Sequence, residues 1–399
     1  MRRCLKILTA FIISLLTAVF ISQSVSAEDI SVGELAEEYG VDSISEALPY
    51  DAADFLEDNG ISPDDPDSIT ALTPKTVISY MTEKLKHSAA APIKLLGLIL
   101  SVVILGAASG AAADSLGNKG GTELYRAVAV MAAVTLTVPS VDNCIKSCAE
   151  TLRSGSEFML CYVPIFAGIS AAAGNAASSV SYNAIVLLIA EAAVRLSSNI
   201  LMPVISVCTA MSIIDAINPS FSLSSVTGLL KKAVSLFLGF AMTVFTGLLS
   251  IQSIVGASAD TLGVKAAKFV VSNFVPVVGS AVADAYSTMR SGLGLLRGAA
   301  GAFGIIALCI MLLPPVLETL CLYLALSAGE AAAEMFGVKE LGVFFKGTSS
   351  LLSLTAAVLA CFAVMFVIST VILMAAGMGT VEAQRKAFVR RTRLPVAVG

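Results

Sequence analysis

The chain has almost no histidine. His87 is the only one in 399 residues, which excludes His-rich metal centres and any proton relay built from several imidazoles. It is also short of charge. Only 14% of its residues are Asp, Glu, Lys or Arg, where a soluble domain carries about 25%. Enzyme signatures are missing as well. No GxxxxGK[ST] offers a phosphate cradle, no HExxH a zinc site and no GxSxG a nucleophile elbow. With one His, an intramembrane enzyme would need carboxylates or a Ser/Lys pair, and no paired motif of that kind presents itself. The sequence reads as non-enzymatic, with no cofactor implied.

Cysteine is present but not arranged for chemistry. Cys4 belongs to the N-terminal apolar segment. Cys161, Cys208, Cys309, Cys321 and Cys361 sit in apolar runs, where a small buried thiol is ordinary. Cys144 and Cys148 are one helical turn apart, which is neither a CxxC redox motif nor half of a zinc site. Residues 28–91 contain no Cys, so no disulfide framework holds them.

What is abundant is apolar. Hydrophobic residues make up 56% of the chain, and the mean hydropathy is +0.87. A bilayer accepts that composition because it removes the need for a polar surface. The net charge of −4 hides an asymmetry. Residues 28–91 hold 15 Asp/Glu against 3 Lys/Arg, whereas the chain after residue 91 holds 14 acids and 19 bases. An acidic head therefore precedes a mildly basic body, and neither forms the stripe that binds nucleic acid.

The first residues, Arg2 and Arg3, an apolar run from Leu5 to Ile21 and the small residues of Val25-Ser26-Ala27, predict a signal peptide over 1–27 cleaved after Ala27. The alternative is an uncleaved anchor helix. Residues 28–91 predict a small extracytoplasmic region of three or four short helices. Ser31/Glu34 and Ser43/Glu46 have capping-box spacing. Ser62-Pro63 and Thr73-Pro74 each place a cap before a Pro at a first helical position. The region has too few large apolar residues for a deep core, so it should dock on the membrane body or on a partner.

A membrane domain over 92–376 follows. A spanning helix needs ~20 mostly apolar residues. Candidates lie at 92–113, 124–141, 158–175, 180–196, 198–217, 233–256, 268–286, 299–326 and 348–376. Those at 158–175 and 180–196 are short and rich in small residues. The run at 268–286 contains Pro276, Gly279 and Asp284 and could be re-entrant. The run at 299–326 is expected to break at Pro314-Pro315. The basic tail over 377–399, with Arg385, Lys386, Arg390, Arg391 and Arg393, should be cytoplasmic. With the head outside, the span count must be odd, between seven and nine. The fold class expected is all-α: a polytopic helical membrane protein.

Small residues crowd the apolar runs, and Gly106-Ala-Ala-Ser-Gly110 and Gly294-Leu-Leu-Arg-Gly298 have GxxxG spacing, which points to a tightly packed bundle. Ionisable residues within or beside the runs need a partner or water. Glu191 and Arg195, four apart, form a structural ion pair. Glu318 follows Pro314-Pro315, where opened backbone could line a cavity. The stretch 257–298 mixes Asp260, Lys265, Lys268, Asn273, Pro276, Gly279, Asp284, Arg290 and Arg297 with apolar residues. A pore wall or docking surface needs that mixture. An amphipathic segment at the interface would also show it.

The stretch Lys231-Lys232-Ala-Val-Ser-Leu-Phe-Leu-Gly-Phe, then Gly247-Leu-Leu-Ser-Ile-Gln252, Lys265-Ala-Ala-Lys-Phe-Val-Val-Ser-Asn-Phe-Val-Pro-Val-Val-Gly279, Ala283-Asp284 and Gly292 to Gly298 resembles the stage III sporulation protein AE family. The resemblance covers 92–376 and is most specific over 231–298. It implies a multi-pass subunit of the channel complex joining mother cell and forespore, seated in the mother-cell membrane around the forespore. The partners it implies are the other stage III sporulation A proteins, including a secretion-type ATPase and ring-forming proteins, together with a forespore membrane protein and a YidC-type insertase. It implies no catalytic residues. A second reading is a stand-alone secondary transporter. It draws on an internal echo, Ala113-Asp114-Ser115-Leu116-Gly117-Asn118-Lys119 against Ala259-Asp260-Thr261-Leu262-Gly263-Val264-Lys265, which could mark an inverted repeat.

Overall fold

The computed structural model describes residues 32–65, 68, 69, 74–115, 119–196, 199, 200, 202–217, 224–274 and 279–392, with the side chains of most of them. The expected signal peptide lies outside the described residues. All regular structure among them is helical. Three short helices come first: α1 (Val32–Glu38), α2 (Asp42–Glu46) and α3 (Tyr50–Asp58). Seven longer ones follow: α4 (Pro74–Ser115), α5 (Lys119–Ser170), α6 (Ala176–Leu196), α7 (Met202–Ile217), α8 (Ser224–Phe274), α9 (Gly279–Met335) and α10 (Lys339–Thr392). A single π turn, Ala171–Asn175, joins α5 to α6.

In the head, Gly40 and Gly60 take left-handed φ of 66° and 63°. Each closes its helix with a pair of reversed hydrogen bonds, Gly40 N–H to Glu37 and Val41 N–H to Ala36 in the first case. That closure starts α2 at Asp42, so Ser43 lies inside the helix. Its hydroxyl donates to the Gly40 carbonyl at 2.6 Å, and it does not form the capping box its spacing suggests. Pro74 does stand at the first position of α4. The small head core of Val41, Ile44, Ala52 and Leu56 is completed by the long helices. Phe55 packs on Tyr80 of α4 with ring centroids 4.2 Å apart. Cys161 of α5 donates its Sγ–H to the Ser43 carbonyl at 3.6 Å. Helix α4 runs without interruption from the polar head into the first apolar run.

Among the described residues five helical stretches are long and apolar enough to cross a bilayer: Thr82–Ala113, Leu124–Leu196, Ser225–Asp260, Met289–Met335 and Lys339–Ile372, with a shorter apolar helix at Pro203–Asp215. The apolar stretch at 124–141 and most of that at 158–175 belong to one helix, α5, with the more polar residues 142–157 between them, and the second stretch ends in the π turn. At 52 residues α5 is about 78 Å long, well beyond the ~30 Å of a hydrocarbon core. The bundle centres on α9. In its most apolar window 72% of residues are buried inside the protein, against 17% for α8.

Helix α9 corrects one expectation. It does not break at Pro314-Pro315 but runs continuously from Gly279 to Met335. Residues 299–313 are all buried, so neighbouring helices hold the backbone in line. The two prolines still remove the N–H groups that would bond the carbonyls of Ile310 and Met311. Both residues line a cavity of about 420 Å³ together with Glu318, where those carbonyls can meet water.

Glycines let the helices approach closely. A Cβ on Gly329 of α9 would meet Ile99 of α4 at 2.6 Å, and one on Gly301 would meet Met374 of α10 at the same distance. Of the two GxxxG motifs, only Gly106 makes such a contact, 3.0 Å from the Cβ of Ala129. No described atom comes within 4 Å of a Cβ built on Gly110, Gly294 or Gly298.

Candidate functional site: a charge-capped helical hairpin

Phe166 of α5 and Tyr182 of α6 are sixteen residues apart, yet their rings meet edge to face with centroids 5.8 Å apart. A straight helix would separate them by about 24 Å. The chain therefore folds back on itself, and the turning point is Gly174, with φ 94° and ψ 19°. The reversal needs no polar loop. It needs a residue without a Cβ, because a side chain at that φ would be strained.

A reversal this tight opens backbone groups on both sides, and two other helices close them. In the π turn that ends α5, Arg290 of α9 donates its Nε–H to the carbonyl of Ala173 at 2.8 Å. At the start of α6, Asp260 of α8 accepts the N–H of Ala177 at 2.7 Å, the N–H of Ser178 at 3.2 Å and the hydroxyl of Ser178 at 2.6 Å. The cation meets a helix C-terminus and the anion a helix N-terminus, so each charge also complements the helix dipole it faces. Asp260 and Arg290 are buried, at 5% and 9% exposure. Buried charges persist only when their hydrogen bonds are made. Asn175 adds an internal tie, its carbonyl accepting from the Ser179 hydroxyl at 2.7 Å. Gly256 lets α8 come close enough for Asp260 to reach, since a Cβ there would sit 2.9 Å from the Ser178 Cα.

The structure thus brings together two of the residues read from the sequence, Asp260 and Arg290, from opposite ends of the stretch 257–298. Arg297 lies two turns beyond Arg290 and donates its Nη2–H to the Met374 carbonyl at 3.0 Å. Lys265, Lys268 and Asn273 lie on α8, and Gly279 and Asp284 on the first turns of α9. The side chains of the four with side chains, and Pro276 altogether, lie outside the described residues. Glu318 is elsewhere. It is half-buried in the cavity between the head and the bundle, beside Asp51, Tyr80 and Glu150. Arg195 donates to Glu191 at 2.6 Å on the exposed side of α6. The two halves of the internal echo differ in setting, one ending α4 and the other lying inside α8.

Gly174, Asn175, Ser178 and Gly256 escaped the sequence reading. A signal existed: the segment Ala173-Gly174-Asn175 separates two apolar runs too short and too rich in small residues to read as ordinary spans. What no local pattern could show is that charges 83 residues downstream of Ala177 and 117 downstream of Ala173 would close the break.

A family model described as stage III sporulation protein AE matches residues 67–377. The curated stage III sporulation protein AE of Bacillus subtilis (strain 168) is 23% identical over 307 residues, covering 77% of each chain. No solved structure matches. The match takes in the hairpin, both charged residues that cap it and every long helix up to the basic tail, and with it the chain belongs to the stage III sporulation protein AE family.

Proposed function

We propose that this protein is a non-enzymatic membrane subunit of the channel complex between mother cell and forespore, supporting late forespore development. The observation that carries this reading is the capped hairpin within a family that takes its name from stage III of sporulation. Non-helical backbone is tolerated at membrane depth only where protein or a water-filled cavity surrounds it. Here two separate helices are committed to holding one such reversal. A bundle that only fills the bilayer has no need of it, whereas a wall that must present polar groups does.

On this reading the acidic head faces the space between the two membranes and the basic tail faces the mother-cell cytoplasm. The partners are the other stage III sporulation A proteins, among them a secretion-type ATPase and ring-forming proteins, with a forespore membrane protein and a YidC-type insertase. The test is complementation in a spore-forming host lacking its own copy, combined with affinity purification of the full chain from sporulating cells. Co-purification of those partners and rescue of heat-resistant spores support the reading. Rescue without any of the partners overturns it.

The broken helix also favours a second reading, a stand-alone secondary transporter, since such proteins place ligand sites at discontinuous helices. Purified protein in liposomes separates the two. Gradient-driven uptake without partners selects the transporter.

A further inference from the structure

The cavity between the head and the bundle is lined by groups of one chemical kind. At about 420 Å³ it falls within the roughly 300–1,000 Å³ of small-molecule sites. Three carboxylates line it: Asp51 from the head, Glu150 from α5 and Glu318 from α9. Against them stands one cation, Lys146. That cation is already engaged, with its Nζ 2.7 Å from a carboxylate oxygen of Asp142. Asp51 has Lys84 only at 4.0 Å. Glu150 and Glu318 have no ion pair among the described residues. Asp51 and Glu150 are exposed and Glu318 is half-buried, so the cavity opens to solvent on one side.

The backbone adds acceptors of its own. Pro314 and Pro315 remove the N–H groups that would bond the carbonyls of Ile310 and Met311, and all four residues line the cavity. Glu318 follows those two residues by eight and seven positions on the same helix, about 10–12 Å along its axis. Its side chain leans back toward them, as helical side chains do. Two acceptor centres, one of carbonyls and one of carboxylates, therefore share a single cavity about a turn or more apart.

We propose that this cavity binds a small organic dication, an aliphatic chain carrying a primary ammonium group at each end. One ammonium donates to the carbonyls of Ile310 and Met311, the other to the carboxylates of Glu318 and Glu150. Its two charges balance the excess of acids in the lining. A bare metal ion does not match. It cannot reach both centres, and among the described residues no three carboxylates, thiols or imidazoles converge closely enough to hold one. Because Asp51 belongs to the head, the ligand also relieves the repulsion between like charges across the boundary of head and bundle. The site stands independently of the channel reading, because it needs only the folded chain.

The test is thermal unfolding of the purified full chain in detergent, followed by circular dichroism at constant ionic strength, with 1,4-diaminobutane dihydrochloride as the probe. The diamine is expected to raise the melting temperature saturably by roughly 2–4 °C, the effect of a native-state ligand well above its Kd on a chain of this size. Butylamine hydrochloride, with one ammonium, should need about tenfold more, the loss of one charge-assisted contact. Magnesium chloride, with the same charge in one compact ion, should give no saturable rise. Glu318→Gln and Glu150→Gln are each expected to weaken the diamine midpoint several-fold, and Glu191→Gln, on the exposed side of α6, to leave it unchanged. If Glu318→Gln fails to fold, Glu150→Gln, at an exposed position, carries the test. The double variant Pro314→Ala/Pro315→Ala returns an N–H to both carbonyls, and should melt higher without ligand and bind the diamine more weakly. Identical melting with and without the diamine overturns the proposal. So does an equal response to magnesium or to butylamine, or an unchanged midpoint in a folded Glu318→Gln or Glu150→Gln.

Discussion

The guanidinium of Arg290 stands where a side chain on residue 174 would begin. A Cβ built on Gly174 lies 2.7 Å from Arg290 Nε, at a backbone φ of +94°. The glycine that reverses the chain and the arginine that caps the reversal are thus fitted to each other. Gly174→Ala meets both penalties at once, a strained left-handed backbone worth about 1–3 kcal/mol and displacement of Arg290 from the Ala173 carbonyl. Thermal unfolding of the detergent-solubilised variant should show the loss, and sporulation frequency should fall with it. Gly263→Ala, where nothing lies within 4 Å, is the silent control.

Asp260 carries the other half of the hairpin. Asp260→Ala leaves the N–H groups of Ala177 and Ser178 without their acceptor, at a cost of about 1–3 kcal/mol for the buried donors. Asp260→Asn keeps one acceptor oxygen but turns an NH2 toward donors, so it should fall between wild type and alanine. Because Asp260 and Arg290 cap the same reversal, the double variant Asp260→Ala/Arg290→Ala should cost less than the sum of the two single variants. Additive losses in denaturant unfolding would show that the two caps act separately.

Tyr80, two residues before the first apolar span, supplies a pH dependence. Burial first, and the Asp51 carboxylate second, push its phenol up from the usual 10 to about 12. The neutral phenol is the form that packs on Phe55, and the raised value belongs to the folded protein. The docking that Tyr80 supports is therefore complete below pH 10 and is lost as pH rises through about 12. Phenolate absorbance near 295 nm should include one late-ionising tyrosine that Tyr80→Phe removes. Asp51→Asn should bring it down only in part, since burial is the larger cause.

Cys144 and Cys148 share one partner. Their thiols lie 3.3 Å and 3.1 Å from the Thr319 hydroxyl, which itself donates to the Pro315 carbonyl at 2.7 Å. All three residues are buried. Maleimide labelling of the folded protein should be slow at both positions and faster at Cys321, which is half-buried. Thr319→Val, which leaves both thiols without their oxygen partner, should destabilise by about 1 kcal/mol. Rapid modification of Cys144 in folded protein would mean that α5 and α9 separate there.

Much of this molecule could be read from its residues. The apolar runs, the helical period and the Pro and Gly punctuation are local signals, and they place the long helices and the start of α4 at Pro74. The stretch 257–298 could be singled out because charges are rare in such a chain and cluster there. Prolines misled at 314 and 315. Propensity says that a helix should end there, but burial of residues 299–313 on every side overrides it. Capping chemistry misled at Ser43 for the reverse reason, since the Gly40 closure had already set where the next helix begins.

By itself the sequence determined that the chain is a helical membrane protein, because composition and period act locally and need no partner to be felt. Only the tertiary structure decided what the charges at Asp260, Arg290 and Arg297 are for. A buried charge takes its meaning from what it faces, and here the first two face the two open ends of a hairpin 83 and 117 residues away in the chain. The third reaches the Met374 carbonyl, 77 residues away on another helix, which neither spacing nor composition could have paired with it. The same tertiary packing made the hairpin possible, by folding two short apolar runs back against each other at a glycine with no side chain to obstruct the turn.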